Sequence, residues 1–426
     1  MKMANMDDYF DVVIVGTGAA GLYCALNLPA RYRILLLTKQ KADESDSFLA
    51  QGGICMQHGE ADYRPFFDDT MRAGHYENNP ATVDLMIRSS NSIIRDLVRR
   101  GVRFARDDHG ALRFTREGAH SRPRILFHED ITGHEITQTL LNEVLRCENI
   151  ELREHTTLLD FFADASACGG VIAAGPDGEP RAIGAGAVVL ACGGIGGLYK
   201  NSTNFPHITG DAIAMALRHG VACEHLDYIQ IHPTTLYSHR KGRRFLISES
   251  VRGEGALLLD KNGNRFTNEL QPRDVVSAAI RAQMEKDGTD HVWEDMRPIG
   301  EAAIREHFPN ILERCEEEGY DPIHEPIPVV PAQHYFMGGI QVDHQSRTSM
   351  AQLYAVGETA CNGVHGRNRL ASNSLLESLV FAQRAADDIL YGEPPVFTGD
   401  KPDLAPYREQ EPLFAAYRQE GLTAIE

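Results

Sequence analysis

Residues 11–21 read Asp11-Val12-Val13-Ile14-Val15-Gly16-Thr17-Gly18-Ala19-Ala20-Gly21, and this stretch decides the fold. The apolar run predicts a buried strand, and the glycines predict a tight turn into a helix that reaches about Leu28. Ile34-Leu35-Leu36-Leu37-Thr38 then predicts a second strand, so the opening is a βαβ unit. In that setting the glycine spacing is a dinucleotide-binding fingerprint, because it brings backbone N–H groups at a helix N-terminus close to a pyrophosphate. The second strand ends in Thr38-Lys39, with no acidic residue there to hold a ribose.

Two later runs predict strands that return to the same sheet. Ala187-Val188-Val189-Leu190-Ala191 leads into Cys192-Gly193-Gly194, and Leu353-Tyr354-Ala355-Val356 stops at Gly357. Each is apolar and closed by glycine, as a strand end facing a cofactor would be. The fold class expected is therefore α/β, with a Rossmann-like nucleotide-binding domain. Residues 226–340 carry more Arg, Glu, His and Pro, which predicts an inserted α+β capping domain over the cofactor. The expected organisation is a discontinuous binding domain (1–225 and 341–395), the cap (226–340), and a linker with a short helix-like tail (396–426) that follows Pro394-Pro395.

Residues 354–378, YAVGETACNGVHGRNRLASNSLLES, extend the same logic to the ligands. Glu358 ends a strand, Arg369 lies in a Gly/Asn-rich loop, and serines precede a helix that starts near Leu375-Leu376-Glu377. Convergence of these groups suits a polyol on one side and a carboxylate on the other.

Composition bounds the partners. The chain has 426 residues, 42% hydrophobic and 24% charged, with a formal net charge of −18. That charge argues against nucleic acid or an anionic membrane as partner, and local Arg and His must draw in any anionic substrate. Eight scattered cysteines with no C-x-x-C pair suggest reduced thiols in a cytoplasmic protein. No secretory signal or membrane-spanning run is evident. His120, His128 and His134 are too loosely spaced for a metal site, so none is expected.

Several separated motifs carry a resemblance. They are GTGAAG (16–21), AQGG (50–53), the GD pair at 210–211, IQIHPTTL (229–236), SVRGEGA (250–256), PRD (272–274), HYFMGGI (334–340) and the 354–378 stretch. From about residue 10 to 390 the chain resembles the flavoprotein family of fumarate reductase, succinate dehydrogenase and L-aspartate oxidase, and within it is most similar to the aspartate-oxidising branch. The resemblance implies FAD. It would place the pyrophosphate on Gly16, Thr17, Gly18, Ala19, Ala20 and Gly21. Further cofactor contacts would come from Thr38, Lys39, Asp46, Ser47, Phe48, Leu49, Ala50, Gln51, Gly52 and Gly53. Asp211, Glu358, Ser374 and Leu375 would complete the set, with Glu358 on a ribose or ribityl hydroxyl. Relatives with covalent flavin carry histidine where Asp46 stands, so the FAD should be non-covalent.

The resemblance also implies the chemistry: oxidation of L-aspartate to iminoaspartate, the entry step of de novo NAD biosynthesis, with oxygen (giving hydrogen peroxide) or fumarate as acceptor. Gln230, His232, Ser248, His334, Arg369 and Ser372 match substrate-binding positions, and Gln230 and His232 share a face if extended. Arg273 matches the arginine that exchanges a proton with substrate. An arginine is a poor free base, so a relay is required, and Glu249 and Arg252, three apart on one helical face, match it. Asp274 is expected to orient Arg273 or to cap the following helix. Glu117, in Thr115-Arg116-Glu117-Gly118-Ala119-His120-Ser121, would meet the substrate ammonium. Such a contact is worth about 1.5–3 kcal/mol, a preference of roughly ten- to a hundredfold for aspartate over succinate. The alternatives are a soluble fumarate reductase or succinate dehydrogenase flavoprotein subunit and, from another class, an FAD-containing nucleic-acid-binding protein. A transient hand-off of iminoaspartate to quinolinate synthase is expected, as is the absence of most of the family's C-terminal helical domain.

Overall fold

The computed structural model describes residues 8–239, 242–392 and 397–425. Pro394-Pro395, after which the linker was expected, lie outside these. β1 (Tyr9–Val15) leads into α1 (Ala19–Asn27) and β2 (Ile34–Leu37). After a long helix, α2 (Pro80–Arg100), come β3 (Ile150–Arg153), β4 (Thr157–Ala163), β5 (Cys168–Ala174) and β6 (Pro180–Leu190). The chain continues through α3 (Asp211–Arg218), β7 (Ile229–Leu236), α4 (Glu249–Gly253), β8 (Leu257–Leu259) and α5 (Arg273–Asp287). It ends with β9 (Val292–Asp295), β10 (Ile327–Phe336), β11 (Leu353–Ala355), α6 (Asn373–Tyr391) and α7 (Gln410–Ile425).

Seven strands form the main sheet, in the spatial order β3-β2-β1-β6-β5-β4, with β11 also on β6. The upper half of β6 pairs in parallel with β1 and β11, and its lower half pairs antiparallel with β5. Alternation along β1 feeds two cores. Val12 and Ile14 join the cluster built with α1, α2 and α6, whereas Val13 and Val15 join the opposite cluster with α3 and Tyr417 of α7. Val15, Leu37, Leu190 and Ala355 fall in one row across the parallel strands. The loops after them therefore leave from the same edge, where an open α/β sheet binds its ligand.

A second, antiparallel sheet of four strands runs β7-β10-β9-β8. It has a core of its own, with Leu236, Leu258, Val276, Ile280, Ile311 and Ile327 among its members. A small three-stranded sheet (Cys223–Glu224, Gly339–Gln341, Ala360–Cys361) ties together the two points where the chain passes between these bodies. α7 docks on α3 through Arg218 and Glu420, joined at 2.7 Å, and Tyr417 donates to the Leu159 carbonyl at 2.8 Å. Among the described residues no helix is long and apolar enough to cross a membrane, and no cluster of His, Cys, Asp or Glu is arranged to hold a metal ion.

Candidate active site

At the head of the parallel strands Gly16 adopts φ +115°, and a Cβ there would sit 2.0 Å from the Ala191 carbonyl oxygen, so only glycine lets the turn close against β6. No acidic residue stands in the first turn of α1 and Gly18 offers no side-chain cap; instead the Ala19 N–H donates to Ser47 Oγ at 3.0 Å. The positive end of α1 therefore faces a long cleft. Gly16, Thr17, Gly18 and Ala20 line it, with Thr38, Lys39 and Asp46, Ser47, Leu49, Ala50, Gln51, Gly52 and Gly53. Asp211, Glu358, Ser374 and Leu375 line it from the other segments.

Gly21 packs on the Gly16 carbonyl instead, and the Phe48 ring lies in the α1 core, edge-on to His134. For both, the structure puts the side of the residue expected at the cofactor into packing. Lys39 Nζ meets Asp211 Oδ2 at 2.6 Å. Glu358 Oε1 accepts from the Phe336 N–H at 2.9 Å, and burial pushes its carboxyl up to about 8. Asp46 Oδ1 accepts from the Phe205 N–H, while its buried Oδ2 has no partner, nor do Ser45 Oγ and Gln51 Oε1. Burial raises Asp46 to about 7. A helix N-terminus at one end and unpartnered polar oxygens further along fit a flavin dinucleotide.

The far end of the cleft is cationic. Arg273, first residue of α5, donates through Nε to Glu249 Oε2 and through Nη1 to Gln230 Oε1 at 3.0 Å. The same Gln230 oxygen accepts from Arg369 Nε at 3.3 Å, so one amide spaces two guanidinium groups. Gln230 sits at a register shift in β7, and a second shift lies between His232 and Thr235. Such bulges re-aim side chains. Arg369 also donates to Ser374 Oγ at 3.0 Å and stacks 4.8 Å above the Tyr335 ring. Its burial lowers it to about 10, which leaves it a cation near neutral pH.

His232 and His334 meet edge to face at 5.1 Å, and burial, then Arg273, holds both well below the ordinary range, so the rings are neutral. Thr203 Oγ1 and His334 Nδ1 share a hydrogen bond of 2.7 Å, and His232 Nε2 is buried without a partner. Ser248 caps α4, accepting from the Ser250 N–H at 3.3 Å. Burial pushes Glu249 up, but Arg273 and Arg252 outweigh it and hold the carboxylate below its usual value. Arg252 Nη2 lies 3.6 Å from Glu249 Oε1.

Glu117 closes the site from a separate loop. Its Oε2 accepts from Ser372 Oγ at 2.6 Å and its Oε1 from Ser250 Oγ at 2.8 Å. Gly52 passes so close that a Cβ would lie 2.8 Å from Oε1. Burial raises the Glu117 carboxyl, and the two serines act against that shift.

The family model described as FAD binding domain matches residues 11–375. An L-aspartate oxidase of Clostridium perfringens is 48% identical over 380 residues, which is 89% of this chain and 86% of that protein. The chain belongs to the L-aspartate oxidase family. The enzyme of that name from Nostoc is 44% identical over 98% of this chain and 75% of its own length. Among solved structures, a quinol-fumarate reductase with menaquinol superposes with TM-score 0.86 and 32% identity, covering 97% of this chain and 75% of that one.

As a member of the L-aspartate oxidase family the chain is an FAD-dependent oxidoreductase. Within its site, reading by motif left several positions out. Tyr335 underlies Arg369, Ser250 holds Glu117, and Thr203 and Asn204 support His334, Asn204 by donating from Nδ2 to the His334 carbonyl at 3.3 Å. His120 is a further support: Arg124 donates to its Nδ1 at 2.9 Å, and its Nε2 donates to the Ala371 carbonyl at 3.0 Å. Ser250, Tyr335 and His120 stand inside stretches quoted above, whereas Thr203 and Asn204 lie outside every motif. Asp274 corrects an expectation. It neither caps α5 nor touches Arg273; it bonds His75 Nε2 at 3.0 Å and Asn368 Nδ2 at 3.3 Å, because the first-turn geometry turns it to the outer face.

Proposed function

We propose that this cleft oxidises L-aspartate to iminoaspartate, with oxygen or fumarate taking the electrons, as the first step of de novo NAD biosynthesis. The observation that carries this reading is a buried carboxylate, Glu117, not neutralised by an arginine of its own among the described residues, lining the same cleft as Arg273 and Arg369. A dicarboxylate alone asks for cations; the added anion suits a substrate that also bears an ammonium.

Arg369, with Ser248, binds one carboxylate, and His232 and His334, as neutral donors, orient the other; Ser372, whose hydroxyl hydrogen goes to Glu117, acts on the site through that glutamate. Gln230 fixes the distance between the two guanidinium groups, so orientation is set before substrate arrives. Bound FAD supplies hydride transfer. Arg273 exchanges one proton with the substrate, at the amino nitrogen when aspartate is oxidised and at the carbon when fumarate is reduced; Glu249, already bonded to it, takes the proton on or returns it, with Arg252 behind. The positions lining the helix end, the Lys39–Asp211 pair and Glu358 hold the cofactor non-covalently, since Asp46 offers no imidazole.

We assign 1–225 with 341–395 to FAD binding and 226–340 to the cap. Eight free thiols suit a reducing cytoplasm. Iminoaspartate, a hydrolysable imine, calls for prompt use by quinolinate synthase. A fumarate reductase or succinate dehydrogenase subunit is the second reading, favoured by the likeness to quinol-fumarate reductase at TM-score 0.86. Anaerobic mixing of the FAD-loaded protein with L-aspartate separates them: bleaching of the flavin is expected, and bleaching by succinate but not aspartate would select the second reading.

A further inference from the structure

Arg273, Glu249 and Arg252 are 6%, 3% and 1% exposed, so a proton that reaches Arg252 is still inside the protein. One N–H of Arg252 is spent on the Glu269 carbonyl at 2.8 Å, while its Nε and Nη2 have no hydrogen-bond partner. In β9 stands Glu294, 0% exposed, with neither carboxyl oxygen bonded. It is paired in register with Leu258 and Ile327, both members of the apolar core beneath that sheet. A carboxyl in that setting costs stability and fastens nothing, the mark of a group kept for another purpose. The charges that act on it are Arg252, which favours its ionised form, and Glu269, which opposes it; Cys315 is the other titratable side chain that feels it. Glu269 in turn is tied to Leu258, the cross-strand partner of Glu294, by a 2.9 Å hydrogen bond from the Leu258 N–H. It also pairs at 2.5 Å with Arg265, whose side chain is 53% exposed.

We propose that Glu294 is the next station of the proton route beyond Arg252, joining the active site to solvent through Glu269. The inference rests on the reading of Arg273 as the proton-exchanging group. For fumarate reduction one proton moves inward. Glu294 gives its carboxyl proton to the Arg252 side as Arg252 passes one to Glu249 and Glu249 passes one to Arg273, which protonates the substrate carbon. Glu294 is then reprotonated from the Glu269 side. For aspartate oxidation one proton, released from the substrate nitrogen as the Cα hydrogen leaves as hydride, travels outward, and no station is left changed. Burial pushes the Glu294 carboxyl up to about 8, so near neutral pH it holds the proton it must donate.

The test uses FAD-loaded protein, reduced anaerobically and mixed with fumarate, with flavin reoxidation followed in single turnover. Glu294→Gln is expected to slow reoxidation about tenfold or more, with FAD content and fumarate affinity unchanged, while Glu294→Asp retains most of the rate. The wild-type rate should fall as pH rises through about 8, and the Gln variant should lack that limb. A Gln variant at the wild-type rate, or Gln and Asp variants slowed alike, overturns the proposal. If the Gln variant loses flavin, the wild-type pH limb decides: its persistence in Cys315→Ser supports Glu294, and a flat wild-type profile overturns it. Wild-type protein that reacts with neither aspartate nor fumarate counts against the proposed function instead.

Discussion

Glu117 shows how much rests on one side chain and how little of that is its own doing. Its two oxygens are held by Ser372 and Ser250, residues far from it in sequence, and Gly52 leaves room for it. Glu117→Gln keeps the shape and removes the charge. It is expected to lower kcat/KM for L-aspartate by roughly ten- to a hundredfold and to leave fumarate reduction near its original rate. Steady-state assays of both reactions check this, and equal loss in the two would remove Glu117 from the selection of substrate. Because burial raises the Glu117 carboxyl, its charge is lost sooner as pH falls than that of an exposed glutamate. The affinity for aspartate should therefore weaken on acidification more than the affinity for succinate, as titrations of flavin absorbance would report.

Among the elements, β7 re-aims its side chains through irregular pairing, and β9, regularly paired, buries a carboxyl. The register shifts in β7 bring Gln230 and His232 to the two arginines, while β9 carries Glu294 into an apolar core. The second placement has a thermodynamic consequence. Glu294 is raised to about 8 in the folded protein, against about 4.3 for a free glutamate. Between these values the folded state holds a proton that the unfolded state has released. The contribution of Glu294 to stability is thus most favourable below the lower value and declines as pH rises to about 8. Glu294→Gln has no such decline. Thermal melts should show the variant gaining on the wild type from pH 5 to pH 8, by an amount on the order of a few kcal/mol; a constant difference would contradict the assignment. At the other end of the molecule, Gly16→Ala places a methyl 2.0 Å from the Ala191 carbonyl oxygen, and purified protein should come out colourless, without FAD.

For the molecule as a whole, the net charge of −18 repels a dianionic substrate, and the Arg273 and Arg369 pair at the base of the cleft is the local answer to it. The cofactor cleft draws on segments from near residue 16 to residue 378, so FAD binds only when all of them are assembled. Added FAD at a hundred times its dissociation constant should stabilise the fold by about 2.7 kcal/mol, seen as a melting temperature that rises with FAD concentration. A melting temperature indifferent to FAD would show that the cleft does not bind it.

What the sequence determined by itself was local. Hydrophobic period and glycine spacing specify β1, the turn at Gly16 and α1, since these depend on neighbours within a few residues. The motif order identified the family, and with it the residues around Arg273 and Glu117. Tertiary structure alone decided what depends on distant segments meeting. It turned Phe48 and Asp274 away from the site, and it put Ser250 on Glu117 and Tyr335 beneath Arg369. Glu294 is the clearest instance. In sequence it is one glutamate among many acidic residues. Only the pairing of β8 with β9 encloses it in an apolar core, and only there does a lost hydration shell turn an ordinary carboxylate into a proton carrier.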